Sequence, residues 1–202
     1  MLIIACGALA REITALRHAN RWEQLQVRCL PARLHNEPQR IPGAVRALIQ
    51  TARAEFGSIF VAYGDCGTGG LLDAVLREEQ VERLPGAHCY EFFATGAVFA
   101  EMAAAEPGTF YVTDFLLRHF DRLVIRGLGL DLHPELYPLY FGHYRRLLYL
   151  AQAPGEASLA QARAAAGRLQ LDFAHRVTGY GNLGSVLAAA VQRSAGVPAW
   201  QH

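Results

Sequence analysis

Apolar positions return along this chain in two alternating rhythms. Short, nearly continuous apolar runs fall at Leu2–Ala5, Gln26–Leu30, Ile59–Ala62, Gly108–Thr113, Leu147–Leu150 and Leu171–Val177. Their length and their β-branched and aromatic content are those of strands, and strands without polar alternation suit a parallel sheet covered on both faces. Between them lie stretches whose apolar residues recur every three or four positions: 11–18, 42–56, 71–79, 92–105, 115–123, 157–169 and 183–193. Val45, Leu48, Ile49 and Ala52 make the clearest of these stripes, and Pro42 suits the first turn of that helix. Val81–Gly86 reads as a weaker strand or loop, and residues 126–146 are the least regular segment. Strands that alternate with helices predict βαβ units. The expected fold is therefore α/β: three-layer, Rossmann-like, with a mainly parallel sheet between helices, in a single domain over 1–202. No linker, repeat or low-complexity stretch interrupts it.

One junction concentrates unusual residues. Tyr63-Gly64-Asp65-Cys66-Gly67-Thr68-Gly69-Gly70 joins the Ile59–Ala62 strand to the 71–79 helix. An acid, a thiol and four glycines thus stand at a strand end, where open α/β sheets bind ligands. Gly67, Gly69 and Gly70 let the backbone approach a ligand closely, and the helix start offers unpaired N–H groups to an anion or a thiolate. The loop lacks the lysine of a nucleotide-triphosphate P-loop, and Cys6-Gly7-Ala8-Leu9-Ala10 lacks the glycine pattern of a dinucleotide site. Gly179-Tyr180-Gly181-Asn182-Leu183-Gly184 has that spacing, but no βαβ unit with its acidic residue follows it.

Composition narrows the class. The chain has 202 residues, 52% of them hydrophobic, with 19 basic and 18 acidic side chains and a net charge of +1. That suits a well-buried globular protein; with no Lys/Arg run, neither nucleic acid nor a membrane surface is expected as a partner. The apolar start meets Arg11-Glu12 too early for a signal peptide or a membrane span, so a cytoplasmic location is expected. Four cysteines in such a chain point to metal or catalytic chemistry more than to disulfides.

Cys6, Cys66 and Cys89 each follow a strand, or the loop it feeds, and precede a helix. His35, Asp114 and Gln152 hold similar positions. If the strands are parallel, these ends share one edge, and three thiolates near helix starts suit metal ligation. Three Cys, or two Cys with a His, and one open position describe a catalytic Zn²⁺ site; three Cys would equally hold a [4Fe-4S] cluster with an open iron. Of His88 and Cys89, neighbours that point to opposite sides of an extended segment, Cys89 is the favoured ligand. Cys29 lies inside a strand and reads as core. Asp65, Glu91, His133 and His143 are the candidates to move protons, and Arg145, beside Arg146, is a candidate clamp for an anionic group. A cysteine nucleophile at Cys66 is the competing chemistry. The 92–105 helix, and the tail from Leu183 through Val197 with Trp200, offer apolar surface to the core or to a homodimer interface.

Cys6-Gly7-Ala8-Leu9, Leu34-His35-Asn36, the 63–70 loop, His88-Cys89-Tyr90-Glu91-Phe92, Glu106-Pro107-Gly108-Thr109-Phe110-Tyr111 and Asp131-Leu132-His133-Pro134-Glu135-Leu136 together resemble a family of uncharacterised bacterial and archaeal proteins, the domain of unknown function number sixteen thirty-eight. The resemblance covers most of the chain and supplies no catalytic residues. It implies a link to corrinoid-dependent methyltransferases and one-carbon metabolism. The expected function is thus a metal-dependent enzyme, a transferase or lyase acting on a small polar substrate. The alternatives are an iron–sulfur lyase or dehydratase, and a metal or corrinoid carrier serving a methyltransferase.

Overall fold

The computed structural model describes residues 1–195; Val197 and Trp200 lie outside the described residues. Two compact units account for the described residues, 1–89 with 182–195 and 90–181.

The first unit opens with β1 (Leu2–Cys6), a 3₁₀ turn and α1 (Ala10–Ala19). It continues through β2 (Gln26–Leu30), α2 (Ile41–Ala52), β3 (Ile59–Ala62), α3 (Leu71–Glu78) and β4 (Glu82–Arg83). The second unit holds α4 (Cys89–Ala94, entered from the first), α5 (Gly96–Ala105), β5 (Thr109–Thr113), α6 (Asp114–Arg118), α7 (Tyr137–Phe141), β6 (Arg146–Ala151), α8 (Glu156–Arg168) and β7 (Asp172–Val177). The closing helix α9 (Leu183–Ala195) returns to the first unit.

Among the described residues every strand pairing is parallel, in two sheets of order β2-β1-β3-β4 and β5-β6-β7. In the first sheet β1 is central and Leu2, Ile3, Ile4 and Ala5 are wholly buried, which is why this segment reads as an unbroken apolar run. Right-handed crossovers from β1 leftward to β2 and from β2 rightward to β3 set helices on opposite faces. Accordingly α2 packs with α3, and α1 with α9. In the second unit Val112, Leu147 and Tyr149 of the sheet pack with Leu117, Phe120 and Val124, and with Ala162, Ala165 and Ala166 of α8.

Three expectations change. Cys29, expected in the core, is exposed, because β2 turns out to be an edge strand of its sheet. The single helix expected over 92–105 is two helices, broken at Thr95, whose φ of 66° no α-helix allows. The helix expected over 115–123 ends at Arg118 and is followed by a π-helical turn, Asp121–Ile125.

Asp114 ties the second sheet together at its carboxyl edge. Its Oδ1 accepts the Tyr149 hydroxyl at 2.7 Å and the Gln152 N–H at 3.0 Å, its Oδ2 accepts the Ala153 N–H at 3.0 Å, and its own N–H donates to Gln152 Oε1 at 2.8 Å. Burial, helped by the Asp114 contact and opposed by a hydrogen bond with Ser158, pushes the Tyr149 phenol up to about 12. Truncation at residue 114 orphans a buried hydroxyl and two backbone donors, each costing on the order of 1–3 kcal/mol. Asp114→Ala is therefore expected to lower unfolding stability by about 3 kcal/mol or more, and Asp114→Asn by less, read from urea denaturation midpoints at constant m-value.

Candidate functional site

The order β2-β1-β3-β4 reverses direction at β1. In open α/β sheets the loops on either side of such a reversal diverge to opposite faces, and the switch point between the carboxyl ends of the two strands, here β1 and β3, is where a crevice for ligands is expected. Cys6 is the last residue of β1, and the glycine-rich loop with Cys66 follows β3. The topology thus brings Cys6 and Cys66 to the one place in this sheet where a crevice is built in.

Asp65 shapes the loop. Its Oδ1 accepts the Thr68 hydroxyl at 2.5 Å and the Gly70 N–H at 2.8 Å, and its Oδ2 accepts the Gly69 N–H at 3.0 Å. Partial burial works against its charge, but these bonds outweigh it and hold the carboxyl below its usual range. The turn needs the left-handed backbone at Gly67, Gly69 and Gly70, with φ of 82°, 62° and 84°, which glycine adopts at least cost. Cys66 takes φ 52° without being glycine, a conformation that the surroundings enforce. The enforcement is visible: the Asp65 and Cys66 N–H groups donate to Gly86 O and Ala87 O at 3.2 and 2.8 Å. A Cβ on Gly64 would meet the backbone of Ala87 and His88 at 3.2–3.3 Å. Arg83 holds that second loop from behind, bidentate on Asp73 at 2.6 and 2.9 Å and donating to Leu84 O and Gly86 O. The two loops are thereby zipped together, and the backbone N–H groups of Gly64 and Cys89 are aimed at the Cys66 sulfur.

Cys6 has a different neighbour. Its Sγ accepts the Ala8 N–H at 3.3 Å and lies 3.8 and 3.9 Å from Nδ1 and Nε2 of His35. The His35 Nδ1 stands 3.0 Å from Ala32 O, so it carries the ring proton and donates it there, leaving the Nε2 lone pair for another group. Burial, together with nearby His88, keeps this imidazole neutral by lowering its pKa. Tyr63 stacks on His35 with rings 6.4 Å apart and 13° from parallel. Its buried hydroxyl has no well-formed hydrogen bond among the described residues; it interacts with the Cys6 sulfur, a weak partner. Burial pushes the Cys6 thiol up to about 12 and the Cys66 thiol up to about 11.

The structure therefore gathers Cys6, His35, Tyr63 and Cys66 with the Cys89 backbone. His35 is the member the sequence marked only as another strand-end residue; the carbonyl that fixes its tautomer is invisible in the sequence. Among the described residues, no three His, Cys, Asp or Glu side chains stand close enough together to hold a metal ion. The remaining candidates belong to the second unit, Glu91 in the first turn of α4. His133 is exposed and bonds Glu135 Oε1 at 3.0 Å through Nδ1. His143 and Arg145 are exposed just before β6, at the amino end of that strand rather than its carboxyl end. No helix among the described residues is long and apolar enough to cross a membrane.

Fold and site together define a parallel α/β protein with two buried thiols and a half-buried imidazole gathered at a sheet switch point. The chain belongs to the family described as Protein of unknown function (DUF1638), which it matches over residues 29–187. No curated protein and no solved structure matches it.

The raised thiol pKa values fix a pH response. Unfolded, each thiol ionises near the ordinary 9.0; folded, Cys6 and Cys66 keep their protons to about 12 and about 11. The folded state then binds more protons, so metal-free protein loses stability as pH rises above 9, by about 1.4 kcal/mol per pH unit for each thiol still protonated. Denaturation midpoints from pH 8 to 10.5 check this, and Cys6→Ala should flatten the slope. In the native state at pH 8, exposed Cys29 should react with iodoacetamide well before Cys6 or Cys66, as read by peptide mass spectrometry.

Proposed function

We propose that this protein is a metal-dependent enzyme that holds one thiophilic divalent ion, zinc, in the β1/β3 crevice through Cys6, Cys66 and the Nε2 of His35. Cys89 would stand at the rim as a fourth donor. The supporting observation is the Cys6–His35 pair. Two ligands of one tetrahedral zinc, at about 2.3 Å for sulfur and about 2.0 Å for nitrogen, stand roughly 3.5 Å apart; Cys6 Sγ is 3.9 Å from Nε2 but also 3.8 Å from Nδ1, so it lies beside the ring, and the imidazole would turn to bring Nε2 and the sulfur onto one ion. Ala32 O plays the part usual behind a ligating histidine, accepting the proton of the other ring nitrogen. Cys66 couples electrostatically to Cys6 but does not form a three-donor group with the pair, so it would close onto them as the ion binds to complete the set.

The donor chemistry fits as well. Burial without a cation keeps both thiols protonated, so ligation releases their protons and binding strengthens as pH rises. A bound zinc with thiolate ligands supplies a Lewis acid that activates water less well than a histidine-rich one, which favours transfer to or from sulfur over hydrolysis. Around it, Asp65 holds the glycine-rich wall in shape, and the buried Tyr63 hydroxyl stands beside the Cys6 sulfur.

The test is metal analysis with an absorption spectrum on untagged protein purified without oxygen. About one zinc per chain and no visible absorption is expected. His35→Gln and Cys66→Ser should each lower metal content at least tenfold while circular dichroism stays native. Several irons with sulfide and a brown colour would replace this reading by a cluster enzyme. Colourless, metal-free protein that neither Zn²⁺ nor Co²⁺ stabilises against heat would sink both.

A further inference from the structure

Strand β7 is an edge strand of the second sheet, six residues long, with neither Pro nor Gly to blunt it. Asp172, His175, Arg176 and Val177 are exposed, Val177 to 61%. Backbone direction along it is fixed by two bonds to β6: the Asp172 N–H donates to Arg145 O and the Thr178 N–H to Ala151 O, both at 2.9 Å. With a two-residue period, Asp172, Ala174 and Arg176 direct their backbone groups toward β6. Phe173, His175 and Val177 direct theirs outward.

Those outward groups dictate which self-pairings are allowed. In an antiparallel pair, outward residues must face outward residues. A two-fold centred on Ala174 satisfies this and sets Phe173 opposite His175 of the second copy. It also sets Asp172 opposite Arg176 in a narrow pair, with Cα atoms about 4.5 Å apart, where side chains meet most closely. Symmetry doubles both contacts. A two-fold centred on His175 satisfies the backbone equally but sets that histidine against itself and leaves Asp172 and Arg176 without opposite charges. Within one chain Asp172 and Arg176 lie roughly 13 Å apart along the strand, too far to pair with each other. The other three edges suit pairing less: β4 has only two residues, Arg28 of β2 is engaged by Glu55 and by the Phe56 ring, and Tyr111 of β5 is packed against Tyr90 and Phe99.

We propose that β7 is a dimerisation edge: two copies of this chain pair antiparallel about Ala174, merging two three-stranded sheets into one of six, with the reciprocal Asp172–Arg176 pairs setting the register. The inference is independent of the metal reading.

Sedimentation velocity and light scattering on the full chain test it. A species of about twice 22.2 kDa is expected at micromolar concentration. Arg176→Asp should weaken the dimer about tenfold or more, by replacing two attractive cross-strand pairs with two repulsive ones. The double exchange Asp172→Arg with Arg176→Asp should restore it, because the pairs are only reversed. His175→Pro removes an outward N–H and should give monomer. A native chain that is monomeric at every concentration overturns the proposal. So does a dimer indifferent to Arg176→Asp, or a double variant no tighter than the single one.

Discussion

Everything at the candidate site follows from the burial of β1. Leu2, Ile3, Ile4 and Ala5 have no exposed surface, and β2 and β3 hydrogen-bond to β1 on either side. A strand so apolar can be accommodated only in the middle of a sheet with helices on both faces. Once β1 is central, the strand order must reverse beside it, and the reversal opens the crevice. Cys6 stands at the mouth because it is the first residue after that buried run. The glycine-rich loop stands opposite because β3 is the neighbour on the other side. No special device is needed to bring the two thiols together; the hydrophobic demand of four residues does it.

The same economy applies to two carboxylates at strand ends. Asp65 and Asp114 both follow parallel strands, the position from which catalytic acids often project. Asp65 accepts three bonds from its own loop, and Asp114 three from Tyr149 and the backbone after β6. A charge-accepting hydrogen bond is stronger than a neutral one, and a loop at a sheet edge has backbone donors that the ladder cannot satisfy. Each carboxylate settles such donors and gives its loop one shape. For Asp65 that makes the residue a support of the crevice wall, and proton chemistry there falls more naturally to groups with an unengaged polar atom.

Much of this architecture is legible in the sequence. The apolar runs give β2 and β3 with their observed limits and the remaining long strands within a residue or two, because strand burial leaves a direct mark on composition. What escapes is whatever depends on strand order. Nothing in Gln26–Leu30 tells that β2 is an edge, so Cys29 reads as core and is exposed. The break at Thr95 escapes for a different reason: Ala94 and Ala97 favour helix on both sides, and only Gly96 hints at the turn. At the site, the thiols are visible as residues at strand ends. The role of His35 depends on the Ala32 carbonyl, a backbone group that no side-chain pattern announces.

The electrostatics of the crevice narrow its chemistry further. A cysteine that acts as a free nucleophile needs a lowered pKa, from a cation, a helix start or an adjacent base. Here desolvation dominates at both sulfurs and drives them the other way, even though Cys66 receives N–H groups from two directions. The histidine beside Cys6 is itself half-buried and held neutral by desolvation, so it supplies no positive charge. Thiols held protonated in this way make weak nucleophiles, and under the proposed function they would turn into ligands when a cation stands between them. A loop zipped to its neighbour, a sulfur with converging amide donors and an imidazole presenting a fixed lone pair are poor preparations for attacking a carbon. They are good preparations for gripping a soft ion.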